Sequence, residues 1–115
     1  MPTTLEDEVY VVPGSLTSVN NIPIRLTEER LAHIYQGHPE LQGCEDWIKE
    51  TVSNPEKVLE GDNGALMAVR KYEKTPVSEN KFLVVVYREQ GDDGFVITAY
   101  FTRRLPKWRK VVWQR

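Results

Sequence analysis

The sequence of 115 residues contains one cysteine, Cys44, so a disulfide cannot form within the chain. Small secreted domains commonly depend on disulfides, and this composition gives no support to secretion. The opening residues MPTTLEDEVY are acidic and lack an apolar run, which disfavours a signal peptide. The longest apolar run, Phe82 to Tyr87, is far shorter than the ~20 residues that cross a bilayer. We therefore expect a cytoplasmic protein that does not enter a membrane.

Histidine is also scarce, and the chain has no glycine-rich phosphate loop. The two histidines, His33 and His38, and the scattered carboxylates lack the spacing of a metal site. Cys44 falls at an apolar position of a helical pattern, which favours a core residue over a nucleophile because free cysteines are usually buried. We expect neither a metal nor a cofactor.

Positive charge is concentrated at the C-terminus. Residues 1–102 carry 9 Lys/Arg against 17 Asp/Glu, whereas residues 103–115 carry 6 Lys/Arg and no acid. The segment RRLPKWRKVVWQR places these cations beside two tryptophans, a composition that suits nucleic acid because phosphates attract the charge and bases stack on the rings. The alternative interpretation is a terminal strand whose apolar residues pack while its cations stay in solvent.

Local patterns predict an α+β domain with two N-terminal helices packed on a four- to five-stranded antiparallel meander sheet. Thr27 is a typical N-cap residue, and the first helix is expected over residues 28–36. Helical spacing resumes at Leu41 and stops at Asn54-Pro55. Strands are then predicted at 57–60, 65–72, 82–87, 95–102 and 110–113, with Asn63-Gly64 as a hairpin turn. Residues 1–21 are an N-terminal segment, either strand (8–12) or tail, and residues 22–115 form the single domain.

The predicted strand 95–102 is the one that offers a row of polar side chains. Alternation places Phe95, Ile97, Ala99 and Phe101 on an apolar face that would receive the helices, and Val96, Thr98, Tyr100 and Thr102 on the other. Successive hydroxyls on that second face would be about 7 Å apart. Such a row can contact a polar ligand, and it is also typical of a solvated sheet face.

The two histidines lie on and just beyond the first predicted helix. His33 is about 200° from Leu31 on that helix, which places it opposite the apolar stripe, either exposed or at the rim of a cleft. His38 follows the helix end and precedes Glu40, whose carboxylate could orient it as an acid/base. An imidazole at a helix C-terminus can equally act as a cap.

Several of these segments together resemble a known family. The segment IRLTEERLAHIYQGHPE, a helix ending in NPEKV, then VVVYRE and GFVITAYFTRRLPKW are similar to small bacterial and phage members of the barnase–EndoU–colicin–RelE-like nuclease superfamily. The resemblance covers residues 22–115, which would make this a nuclease-like α+β domain. It implies metal-independent, toxin-like cleavage of RNA, in which the 2′-hydroxyl attacks the adjacent phosphate.

The resemblance also implies roles for individual residues. His33 or His38 would be the acid/base, and Thr98 and Tyr100 would contact the phosphate or a base. Arg70, with Tyr72 on the same strand face, and Arg103 with Arg104 would bind substrate; the first pair is suggested by position only. RNA is the expected partner, with a neutralising or immunity protein as a second. The alternatives are a catalytically inactive module that binds RNA or protein, and an interaction subunit that pairs with a partner's sheet edge.

Overall fold

The protein is an α+β domain in the computed structural model, which describes residues 16–76 and 79–115. The strand considered for residues 8–12 lies outside the described residues. The helices are α1 (Glu28–Gly37) and α2 (Glu45–Ser53), with short 3-10 turns at Pro39–Leu41 and Asp62–Gly64. The strands are β1 (Ile24–Arg25), β2 (Lys57–Glu60), β3 (Leu66–Lys74), β4 (Glu79–Gln90), β5 (Asp93–Thr102) and β6 (Val111–Gln114).

Helix α1 begins where its capping residue predicts. The Thr27 side chain accepts a hydrogen bond from the backbone N–H of Arg30 (3.0 Å), which satisfies one of the free donors of the first turn. Helix α2 begins later than expected, because Gly43 adopts a positive φ of 85° and interrupts the helical path after Leu41. No helix among the described residues has the length and apolar character needed to cross a membrane.

The sheet has six strands in the order β1-β5-β4-β3-β2-β6. Its centre, β2 to β5, is the predicted antiparallel meander. The expectation of a wholly antiparallel sheet with four or five strands needs correction, because β1 pairs in parallel with β5 and β6 adds to the far edge. The pairing of β1 with β5 joins segments about seventy residues apart, so no local pattern indicates it.

Each face of the sheet has its own apolar cluster. The helix-side cluster holds Ile34 and Ile48 from the helices against β4 residues that include Leu83 and Val85, and Cys44 is buried there as predicted. The cluster on the second face contains Leu59, Met67, Val69 and Val84. Strand β4 is therefore buried from both sides, which explains its continuous apolar run.

The segment between β5 and β6 partly covers the second face. These two strands are separated by β4, β3 and β2 in the sheet, so residues 103–110 must pass over the sheet to connect them. Leu105 packs on the second-face cluster, and Arg109 lines a cavity on the same side. This crossing brings the basic C-terminal segment over the central strands.

A bulge in β5 changes the predicted arrangement of its side chains. Val86 pairs with Thr98 but Tyr87 pairs with Val96, so Ile97 is an extra residue opposite the partner strand. Val96 consequently packs in the helix-side cluster. The prediction that Val96 shares a face with Thr98, and Ile97 with Ala99, was wrong because strict alternation does not continue through a bulge.

Candidate functional site

His38 and Tyr100 meet at one edge of the second face. Their ring centroids are 6.1 Å apart with an interplanar angle of 33°. His38 is held where α1 ends, since its backbone N–H donates to the carbonyl of Ile34 (2.7 Å) and Pro39 follows. Tyr100 extends from β5, two residues beyond Thr98 on the same face. The structure thus brings together two of the residues that the sequence suggested.

Glu40 lies beside the imidazole of His38. The Nδ1 atom of His38 is 3.6 Å from an Oε2 oxygen of Glu40, and both side chains are about one-third exposed, at 39% and 30%. Because the carboxylate lies on the Nδ1 side of the ring, Nε2 is the nitrogen that a ligand can approach. The imidazole is therefore accessible to solvent and oriented by its neighbour.

Tyr100 also lines a cavity of about 250 Å³. Its polar lining consists of Tyr100, Arg88, Arg109 and Asp62, and its apolar lining includes Ile97 of the bulge. This volume is below the ~300–1,000 Å³ of typical small-molecule pockets and suits a group of few atoms. Two guanidinium groups and a phenol at one cavity form a set of hydrogen-bond donors for an anion.

Arg109 is a largely enclosed charge of this cavity. Its side chain is only 13% exposed, and its Nη2 atom is 3.1 Å from the Oδ1 of Asp62. Its Nη1 donates to the carbonyl of Glu60 (3.2 Å). The Nε–H is buried and has no hydrogen-bond partner within residues 16–76 and 79–115. A buried donor without a partner is costly, so an acceptor that reached this nitrogen would be bound favourably.

Tyr100 is suited to donating a hydrogen bond. Burial raises its pKa above the ordinary value of 10.0; the positive charge of Arg109 lowers this pKa and the negative charge of Asp62 raises it. The net shift is upward, so the phenol keeps its proton at neutral pH. Tyr100 can therefore donate to an anionic oxygen but is a poor base there.

The remaining predicted site residues lie elsewhere. His33 is exposed on α1 and lines a separate open groove of about 520 Å³. Arg70 and Tyr72 share a face of β3, as alternation suggested, but it is the helix-side face. There Arg70 donates to the carbonyl of Asn54 (2.7 Å), and Tyr72 stacks on Trp47 at 4.5 Å. The structure does not bring this pair to the cavity beside Tyr100.

The two arginines that follow β5 are exposed. The Thr102 hydroxyl donates to the carbonyl of Arg104 (2.9 Å), which forms a tight turn where the chain leaves the strand. Arg103 and Arg104 do not line the cavity, although the segment that they begin leads to Arg109. Their charges are available to a ligand at the surface.

Sequence reasoning missed Arg88 and Arg109 as parts of this site. Arg88 is two residues beyond Val86 on β4, so alternation could have placed it on the second face. For Arg109 the only sequence signal was its membership in the basic segment. Residues 103–110 form neither a helix nor a strand, so no side-chain periodicity predicts which way Arg109 faces. The described part of the chain contains no group of three or more His, Cys, Asp or Glu residues able to hold a metal ion.

Comparison with known protein families, with curated protein sequences and with solved structures found no match to this chain.

Proposed function

We propose that the protein is a toxin-like ribonuclease that cleaves RNA without a metal ion, through attack of a 2′-hydroxyl on the adjacent phosphate. The observation that carries the proposal is the position of Tyr100, which lies against the His38 ring and also lines the two-arginine cavity. A proton-transfer group and a set of anion donors therefore adjoin the same side chain. This combination is what transesterification of a phosphodiester requires.

Each group has a defined role in the proposed reaction. The 2′-oxygen attacks phosphorus while Nε2 of His38 accepts its proton, and Glu40 keeps the imidazole oriented. The P–O5′ bond breaks, its electron pair leaves with the 5′-oxygen, and water protonates that oxygen. Tyr100 donates to a phosphate oxygen, with Thr98 beside it on β5. A 2′,3′-cyclic phosphate remains on one fragment.

The arginines supply the positive charge that the phosphate needs. Arg88 and Arg109 line the cavity, and a guanidinium binds a phosphate oxygen through charge-assisted hydrogen bonds. Asp62 balances part of the charge of Arg109 in the free protein. Arg103 and Arg104 are exposed on the approach and would attract the RNA backbone at longer range. Arg70 and Tyr72 have no role in this mechanism because their partners lie on the helix side.

The test is to incubate the purified protein with transfer RNA and mixed RNA in the presence of EDTA and to analyse the ends. We expect cyclic-phosphate ends from the wild type, and we expect His38→Ala to lower the cleavage rate by about 100-fold or more. His33→Ala is the matched control, because it removes an imidazole from α1 that lines a separate groove. Intact RNA at high protein concentration, or equal rates for wild type and His38→Ala, would contradict the proposal.

A second candidate is a module that binds RNA without cutting it. It is favoured by one observation: of the two histidines in the sequence, both within the described residues, only His38 contacts Tyr100. A nuclease commonly uses separate groups for the two proton transfers. This candidate predicts saturable, salt-sensitive RNA binding with no product, and no growth inhibition on expression. A toxin would inhibit growth unless a neutralising partner were present.

A further inference from the structure

Trp108 is the most exposed large apolar side chain among the described residues, at 75%. Contact between this apolar side chain and water is unfavourable, and the indole offers a flat surface to a partner. It lies in the crossing segment, directly before Arg109. Its position is therefore tied to the cavity that Arg109 lines.

Arg109 holds one face of the indole. The Cζ atom of Arg109 is 4.3 Å from the centroid of the Trp108 ring, a cation–π distance. The same guanidinium is fixed by Asp62 and by the carbonyl of Glu60. A ring that is covered on one face by a fixed group and is 75% exposed must present its other face to solvent. The indole is thus a supported platform beside an anion cavity.

The exposed side chains around Trp108 are positively charged, which favours a negatively charged ligand. Arg103, Arg104, Lys107 and Lys110 are exposed in the same segment, and residues 103–115 contain no acid. A ligand that combines negative charge with flat aromatic groups complements this surface. Single-stranded nucleic acid has both features, whereas the bases of a duplex are stacked on one another and are not free.

We infer that Trp108 is a base-stacking platform for single-stranded RNA, on which a nucleobase stacks while a neighbouring phosphate enters the cavity lined by Arg88 and Arg109. This inference rests on the proposed function, since it names the strand state of that substrate and a contact outside the reacting atoms. Arg109 links the two subsites, because its guanidinium lies against the indole and the same residue lines the cavity.

The experiment separates binding from cleavage by using a short single-stranded oligodeoxynucleotide. This probe has bases and phosphates but no 2′-hydroxyl, so it cannot react by the proposed route. Binding is followed by tryptophan fluorescence and by anisotropy of a labelled probe. We expect Trp108→Leu to weaken binding by about 5- to 150-fold, the range observed for loss of one stacked base. Trp108→Phe, which keeps a ring, should retain most of the affinity.

Two controls identify the physical origin of the effect. Val112→Ala removes exposed apolar surface from β6, keeps the indole of Trp108 in the chain, and should leave binding unchanged. An oligonucleotide with abasic positions keeps the phosphates and should bind wild type as weakly as the intact probe binds Trp108→Leu. A duplex of the same sequence should bind more weakly than the single strand at equal salt concentration.

Several outcomes would overturn the inference. Equal affinity for intact and abasic probes would show that only phosphates are bound. Equal affinity of wild type and Trp108→Leu for the intact probe would show that the indole does not stack on a base. Tight binding of an acidic peptide that displaces the probe, weakened as much by Val112→Ala as by Trp108→Leu, would assign the surface to a protein partner. If wild type cleaves RNA and Trp108→Leu binds the probe as tightly as wild type, the stacking inference is wrong and the proposed function stands. If binding of the probe depends on Trp108 but RNA is not cleaved, the stacking inference stands and the proposed function is wrong.

Discussion

Two tyrosines allow the same chemical change to be made in opposite environments. Tyr87, on β4, is fully buried, and its hydroxyl has no hydrogen-bond partner among the residues that the structure describes. Tyr72, on β3, donates to an oxygen of Glu50 at 2.6 Å. Replacing each by phenylalanine removes one oxygen and keeps the ring. We expect Tyr87→Phe to stabilise the protein and Tyr72→Phe to destabilise it.

The magnitudes follow from what each hydroxyl loses or gains on folding. A buried hydroxyl without a partner costs roughly 1–3 kcal/mol of desolvation, and its removal also loses a few dispersion contacts. Tyr87→Phe should therefore raise the free energy of unfolding by about 1 kcal/mol. The bond from Tyr72 goes to a carboxylate, but Glu50 is 44% exposed, so water competes with it. We expect Tyr72→Phe to lower the free energy of unfolding by about 1 kcal/mol.

Urea unfolding at neutral pH measures both variants. With a slope of roughly 1–3 kcal/mol per molar urea, the two midpoints should move in opposite directions by about 0.5 M. The double variant should show an additive effect, because the two hydroxyls have no shared partner. A loss of about 1 kcal/mol in Tyr87→Phe, equal to that in Tyr72→Phe, would refute the reasoning, because it would require a hydrogen bond to the Tyr87 hydroxyl.

Three further predictions concern pH, packing and catalysis. Burial raises the pKa of Tyr87 above its ordinary 10.0, so the folded state keeps this proton at a pH where the unfolded state loses it. The contribution of Tyr87 to the free energy of unfolding should be constant below about pH 10 and fall above it, so stability at high pH should fall less steeply in Tyr87→Phe than in the wild type. Gly94→Ala should lower the free energy of unfolding by about 2 kcal/mol or more, since a Cβ would lie 2.5 Å from the backbone oxygen of Arg88, whereas Gly37→Ala meets nothing within 4 Å and should be neutral or slightly stabilising in urea unfolding. Tyr100→Phe should keep the fold, measured by the urea midpoint, and slow RNA cleavage by about 10-fold or more, because it removes a donor to the phosphate; an unchanged rate would show that the phenol does not act there.

Local chemistry accounts for the elements that the sequence predicted well. Thr27 caps α1, Pro39 limits it, and Asn63 and Gly64 both adopt the positive φ angles that a tight hairpin turn requires. The same holds for the apolar run of β4, whose burial from both sides follows from its composition. These features depend on interactions within a few residues, so the sequence alone was enough to identify them.

Local patterns in the sequence identified only part of the candidate site. His38 and Tyr100 could be named from the sequence because each belongs to a regular or terminal position of a predicted element. The juxtaposition of Arg88 with Arg109 could not be predicted, because it depends on the crossing of residues 103–110 over the sheet. That crossing follows from the sheet order, in which β5 and β6 are separated by three strands.

The sequence by itself determined the two-layer class, the helices, the central meander and the basic C-terminal segment, since periodicity, capping and turn chemistry are properties of neighbouring residues. Tertiary structure alone decided the parallel pairing of β1 with β5, the bulge that turns Ile97 toward the cavity, and the juxtaposition of Tyr100 with His38 and two arginines. These depend on contacts between residues far apart in the chain, where packing and closure of the sheet select one arrangement among many that the local patterns allow.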